Sequence, residues 1–213
     1  VNWQLITTNT VQCFQFSWQE YRALYSTKKG QDQLVKAIDP VFLRQTHSAL
    51  IINVDSATER TGDGLLASRG KRLGIRIADC LAVYAFTRDR IAVIHCGWRG
   101  IIRGICRELK RQFGDFHYLL GASIGPCCYE VKEDVVERFS RDYAHAIVRR
   151  DSRYYLDLKA AVMKDLGADV LLGSLDLCTR CHPEFFYSNR RGDTQRNYAM
   201  IGDDTIDPEV VLH

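Results

Sequence analysis

Three short segments concentrate the residue types that do chemistry: Arg44-Gln45-Thr46-His47, Ala78-Asp79-Cys80-Leu81 and His95-Cys96-Gly97-Trp98-Arg99-Gly100. Each lies at the end of an apolar run that reads as a strand, where a rigid scaffold presents its chemistry. Imidazoles and thiols serve as metal ligands or as a base and a nucleophile, so His47, Cys80 and His95 are open to either use. A lone histidine or cysteine is also often a packed structural residue. Cys80 and His95 stand 15 residues apart on neighbouring predicted strands, and a thiol activated by an imidazole is a complete nucleophilic unit. Gly97 and Gly100 bracket a turn into a predicted helix, whose free N–H groups suit an anion, and Arg99 adds a fork-shaped cation there.

The elements that must position these segments follow from hydrophobic periodicity. Short apolar runs predict strands over 49–54, 64–67, 73–77, 81–86 and 91–95, with others over 119–124, 169–172, 185–188 and 198–201. Ile101, Ile105 and Leu109 recur at four-residue spacing while Arg103, Arg107, Lys110 and Arg111 cover the other side, which predicts one amphipathic helix over 100–113. Further helices are expected over 31–38, 132–143 and 155–166, the last stopped by Gly167. Strands outnumber helices, and those between 64 and 95 follow one another closely enough to predict local antiparallel pairing. The expectation is an α+β fold: a single domain over 1–213, with mixed β-sheets flanked by helices in a layered αββα-type arrangement.

Composition limits the function classes. The chain has 213 residues, 46 % hydrophobic and 26 % charged with four prolines, as in soluble globular domains. A net charge of +3 is too small to imply nucleic acid or a membrane surface as partner. The apolar runs are strand-sized and none spans a bilayer. No secretory leader pattern is visible, so a cytoplasmic location is expected, with the eight cysteines as thiols or ligands rather than disulfides. Cys13 and Cys106 read as packed thiols. Cys178-Thr179-Arg180-Cys181 has the form of a zinc half-site, but its partner pair would be the adjacent Cys127-Cys128. Two neighbouring residues are poorly placed to chelate one tetrahedral ion, so these four are also expected to be packed thiols.

Five motifs in order resemble the multicopper polyphenol oxidase (laccase)-like family, now regarded as zinc-containing purine nucleoside phosphorylases. They are RQTH at 44–47, ADCL at 78–81, HCGWRG at 95–100, IGPCCYEV at 124–131, and the stretch from Cys178 through FFYSNRRGDTQR to Arg196. The resemblance implies zinc held by His47, Cys80 and His95. Two imidazoles and a thiolate leave one tetrahedral position open, the pattern of catalytic zinc. Asp79 and Gln45 are near enough in sequence to orient the ligands. The departures lie at the N-terminus, where 7–13 reads TTNTVQC in place of the family's Arg-Gly-Gly-Val-Ser, and at Cys96 and Ile77, where alanine and threonine are common. The zinc site is therefore better supported than the substrate.

The resemblance implies phosphorolysis of purine nucleosides (adenosine, inosine, guanosine or methylthioadenosine) to base and sugar 1-phosphate, with adenosine deamination as a second activity. For phosphorolysis, Arg99, Arg190 and Arg191 are candidate phosphate cations, and Gln45 a further substrate contact. For deamination, Asp79 or Asp63 would shuttle protons beside the metal, although capping is the plainer role for Asp63. The alternative is a metal-free cysteine hydrolase or deamidase built on Cys80 and His95. A copper polyphenol oxidase would need many more histidines in His-x-His pairs; the chain has six histidines and no such pair, which leaves copper as a lesser occupant of the zinc site. Oligomeric state is open.

Overall fold

Strands β7 (Leu81–Phe86) and β8 (Arg90–Cys96) form the antiparallel hairpin from which the rest of the molecule is built. Both are buried on two faces, and their alternation shows where each face goes. Leu81, Val83, Ala85, Ala92 and Ile94 pack towards helices, while Ala82, Tyr84, Phe86, Ile91 and Val93 pack towards a second sheet. Cys80 and His95 share the parity of this second set, so both chemical side chains stand at the end of the inter-sheet face. The structure is a computed structural model and describes residues 2–208.

The hairpin sits in a six-stranded sheet together with β4 (Ile51–Asn53), β5 (Gly64–Ser68), β9 (His117–Leu120) and β13 (Leu171–Ser174). The order is β13-β9-β7-β8-β5-β4, parallel at the two outer pairs and antiparallel between. Facing it is a five-stranded antiparallel sheet of β1 (Gln4–Thr7), β2 (Gln12–Trp18), β3 (Tyr21–Ser26), β14 (Asn197–Asp203) and β6 (Leu73–Ile77), ordered β1-β2-β3-β14-β6. Helix α1 (Gln31–Ile38) closes the outer side of this sheet through Leu34 and Ile38. Helices α2 (Trp98–Ile102), α3 (Ile105–Phe113), α4 (Glu133–Tyr143) and α5 (Leu158–Leu166) cover the six-stranded sheet. A small sheet of β10 (Glu130–Val131), β11 (Ile147–Arg150) and β12 (Arg153–Leu156), ordered β10-β12-β11, completes the helical side. The layers run helix, sheet, sheet, helices, as the α+β expectation has them.

Some expectations need correction. The helix expected over 100–113 is two helices, broken where Gly104 takes φ 88°, a left-handed conformation open to glycine at little cost. Residues 185–188 are not a strand. Their amides are taken elsewhere: Phe186 N–H donates to the His182 carbonyl, Tyr187 N–H to Asn197 Oδ1 and Ser188 N–H to Asp193 Oδ2. Strand β6 leaves its sequence neighbours to pair with β14 in the other sheet. Cys13 and Cys106 are fully buried, and Cys128 and Cys178 pack half-buried against the helical core, but Cys127 and Cys181, which meet them at one place, are exposed and so are not packed thiols. No helix is long and apolar enough to cross a membrane among the described residues.

Candidate metal centre and active site

The register of the central hairpin brings two of the three donors together. Leu81 pairs with Cys96, which sets Cys80 opposite Gly97 just beyond the ladder, with His95 beside them in β8. His47 enters from the loop before β4, its ring centroid 4.9 Å from that of His95. The ligand atoms of His47, Cys80 and His95 all lie within 4.8 Å of one another. Gly97 makes the approach possible. A Cβ at that position would stand 3.0 Å from Cys80 Sγ and 3.3 Å from His47 Cδ2.

One buried carboxylate organises both histidines. Asp63 Oδ1 lies 2.9 Å from His95 Nδ1, which fixes the ring and leaves Nε2 for the site. Its Oδ2 accepts from the amides on either side of His47: Thr46 N–H at 3.1 Å and Ser48 N–H at 2.5 Å, with Ser48 Oγ at 2.7 Å. His47 itself has φ 58°, and its carbonyl accepts from Arg103 Nη1. Burial would raise the Asp63 carboxyl, but the hydrogen bonds from His95 and Ser48 hold it well below the usual carboxylate range. Burial likewise opposes charge on Cys80 and His95. Their mutual attraction and hydrogen bonding win, drawing the thiol down and, with Asp63, the imidazole up. The structure thus gives Asp63 a positioning place behind His95, fully buried, rather than a proton-carrying place in the cavity.

Asp79 is held as firmly. It has φ 80° immediately before Cys80, and its oxygens accept from Thr179 Oγ1 and from Arg190 N–H, each at 2.7 Å. Thr179 is fully buried. The 3-10 turn Asn189–Arg191 presents the Arg190 amide, so the distant RR motif reaches Cys80 through Asp79.

These groups open into a cavity of about 560 Å³, within the usual range of small-molecule sites. Its charged lining, apart from the donors, is Arg44, Arg76, Arg99, Arg190 and Arg196 against Asp79 alone. Arg99 lies over the Trp98 ring at 4.5 Å and Arg190 over Tyr129 at 4.9 Å; Arg190 Nη1 also donates to the Glu130 carbonyl. Stacking aims a guanidinium while leaving much of its N–H edge for an anion. Gln45 lines the cavity, but its amide is exchanged with the backbone of Arg76 (2.8 Å each way), so it braces the wall of the site and not a ligand ring. Arg191 is not brought to the cavity. Its guanidinium is spent on the carbonyls of Thr179, Arg180 and Phe186 and on Asp193. A larger cavity of about 800 Å³ near Trp18 and His117 brings no group of metal-ligating side chains together among the described residues. Sequence reasoning missed Asp63 as a positioning residue, and Arg44, Arg76, Arg196 and Tyr129 as lining. Arg44, Tyr129 and Arg196 lie within the family motifs, whereas Asp63 offered only its place between two glycines beside an apolar run.

Comparison with known proteins decides the family. Residues 26–203 match the model of the multi-copper polyphenol oxidoreductase laccase family, well over half of the chain. The chain belongs to this laccase-like family. Among relatives, it is 29 % identical over 189 residues to a purine nucleoside phosphorylase of Clostridium acetobutylicum, covering 78 % of this chain and 79 % of that one. It is 33 % identical over 185 residues to a purine nucleoside phosphorylase of Xylella fastidiosa, covering 76 % and 71 %. The laccase-like fold recurs in the crystal structures of Bacillus licheniformis YfiH (TM-score 0.77, 22 % identity, 94 % and 99 % covered) and Geobacillus stearothermophilus YlmD (TM-score 0.75, 23 % identity, 93 % and 98 % covered). Despite the family's description, the groups among the described residues that could hold a metal are one set of two histidines and a cysteine and one set of four cysteines. A multicopper oxidase needs more imidazoles than that.

Proposed function

We propose that this chain is a zinc-dependent purine nucleoside phosphorylase, with the ion held by His47, Cys80 and His95 and phosphate held by Arg99 and Arg190. The observation that carries the reading is the opening of a two-imidazole, one-thiol donor set into a cavity whose charged lining is five arginines and one aspartate. The donor set fits zinc: mixed nitrogen and sulfur ligands, an imidazole fixed by a carboxylate, and one side left to the cavity. When bound, zinc supplies a Lewis acid at its open position. The arginines match a phosphate dianion and offset its charge as it approaches the sugar. In the reaction a phosphate oxygen bonds to C1′ while the bond from C1′ to the base breaks. The base leaves with the electron pair and takes up a proton. The names of the relatives support purine nucleosides as the substrates.

One observation favours a second reading. Cys80, His95 and Asp63 form a thiol–imidazole–carboxylate series, the arrangement of a cysteine hydrolase. The same side chains cannot hold an ion tightly and act as free nucleophile and base, so metal content separates the two.

The deciding experiment incubates the purified protein with inosine or adenosine, with and without phosphate, and resolves the products, alongside metal analysis. Base and ribose 1-phosphate formed only with phosphate, in a zinc-containing protein, is the expected result. Inosine from adenosine without phosphate would mark deamination. Products formed equally without phosphate, or a fully active metal-free protein, would overturn the proposal.

A further inference from the structure

The fold makes a second cluster of soft donors from loops distant in sequence. Residues 125–129 follow the β9 side of the six-stranded sheet, and residues 178–182 are held to them by a bridge between Ser123 and Cys178. The turn at 126–128 is wound: the Cys128 and Tyr129 amides both donate to the Gly125 carbonyl. Adjacent side chains in an extended strand point to opposite faces, whereas in a helical turn they diverge by only about 100°. Cys127 and Cys128 therefore both reach the C-x-x-C turn, where the Cys181 and His182 amides donate to the Cys178 carbonyl.

The four sulfurs lie within 4.8 Å of one another, with Cys181 Sγ 3.7 Å from Cys127 Sγ and 3.4 Å from Cys128 Sγ. A tetrahedron with zinc–sulfur bonds of about 2.3 Å has edges of about 3.8 Å. Separations this short suit a single ion and leave no room for an iron–sulfur cluster between them. Gly125 N–H donates to Cys178 Sγ at 3.3 Å, the hydrogen bond that favours a thiolate, and a Cβ at Gly125 would crowd Cys127 Sγ at 3.2 Å. Cations stand beside the cluster as well: Arg150 donates to the Pro126 carbonyl and Arg191 to those of Thr179 and Arg180. Thiols are among the most buried side chains, yet Cys127 and Cys181 are exposed. Packing does not account for them.

We propose that Cys127, Cys128, Cys178 and Cys181 bind a second zinc ion, a closed four-sulfur site that staples the two loops. The four thiols lose their protons to solvent as the ion enters. The staple also bears on the first site. Thr179, between two of its ligands, donates to Asp79, and Tyr129, next to a third, lines the cavity. This second site does not depend on the reaction proposed above.

The test is metal stoichiometry on the full chain, zinc-loaded under reducing conditions and then passed over a chelating resin. About two equivalents are expected in the wild type, and about one each in His47→Ala/Cys80→Ala and in Cys178→Ser/Cys181→Ser. Cobalt loaded into His47→Ala/Cys80→Ala should show strong sulfur-to-cobalt charge-transfer and tetrahedral visible bands, a readout that holds even if the double-serine chain does not fold. One equivalent in the wild type, unchanged stoichiometry in the double-serine chain, or a cobalt spectrum without sulfur charge transfer would overturn the site.

Discussion

Replacing Asp63 by asparagine keeps its shape and removes its charge, and the hydrogen bonds around the side chain set the cost. The carboxylate accepts from His95 Nδ1 on one oxygen and from the Thr46 and Ser48 amides on the other. An asparagine has one accepting end. If its oxygen faces the two amides, its NH2 faces His95 Nδ1, which must then accept; the ring proton moves to Nε2 and blocks that nitrogen as a ligand. If it is flipped, the NH2 meets two backbone donors in a fully buried place. Either way a charge-assisted hydrogen bond of about 1.5–3 kcal/mol is lost, and in the flipped orientation the buried donors left without a partner cost about 1–3 kcal/mol more. For a domain of this size about 3 kcal/mol is a fall of roughly 6–12 °C in Tm. Zinc affinity should fall about 10- to 100-fold, as for other partners that orient a ligand. A competitive chelator titration and a thermal melt of the same preparation measure both effects. Wild-type zinc affinity with an unchanged Tm would refute the claim that this carboxylate builds the site.

Three further outcomes are expected. Gly97→Ala puts a methyl against Cys80 Sγ and His47 Cδ2, so the chelator titration should show weakened zinc binding with little change in Tm; equal affinity would mean that the loop gives way freely. Arg99→Ala should raise the KM for phosphate about ten- to a hundred-fold, from a loss of about 1.5–3 kcal/mol, with zinc still bound; an equal loss in a phosphate-independent reaction would count against it. Thr179→Val removes the 2.7 Å donor to Asp79 and should lower stability by about 1–3 kcal/mol in a denaturant melt, and a neutral result would show that Asp79 is held adequately by the Arg190 amide alone.

What the sequence discloses depends on how local the cause is. Strands β6 and β7 were legible to the residue, β7 as an unbroken apolar run and β6 as an apolar segment with one outward arginine, each bounded by turn signals. His47, Cys80 and His95 were legible as a set only through their motifs, since nothing in the spacing says that these three segments converge. Asp63 was hidden because its partners come from elsewhere: Gly62 and Gly64 let the backbone pass against Leu50 and Ile94 so that the carboxylate can sit inside. The convergence of the four cysteines was hidden for a local reason. The expectation that neighbours cannot share an ion holds for extended backbone, and Cys127-Cys128 is in a wound turn. Arg191 looked like its neighbour Arg190, but a turn separates their directions, and one guanidinium goes to the cavity wall while the other ties down the loop.

The backbone itself shows how the site is prepared. His47 and Asp79 are two of the few non-glycine residues with positive φ, at 58° and 80°, and such conformations cost about 1–3 kcal/mol unless the surroundings fix them. Both are fixed by a carboxylate. Asp63 takes the amides that flank His47, and Asp79 anchors itself to Thr179 and to the Arg190 amide. The first ties a loop to the central hairpin, and the second ties that hairpin to the loop carrying the RR motif. Cys80, just before β7, and His95, in β8, lie between the two ties at one end of a hairpin buried on both faces. The donors are thus positioned from both sides by the chain's own hydrogen bonds, with Asp63 behind His95 and around His47 and Asp79 next to Cys80, so loss of either carboxylate frees a donor from its place.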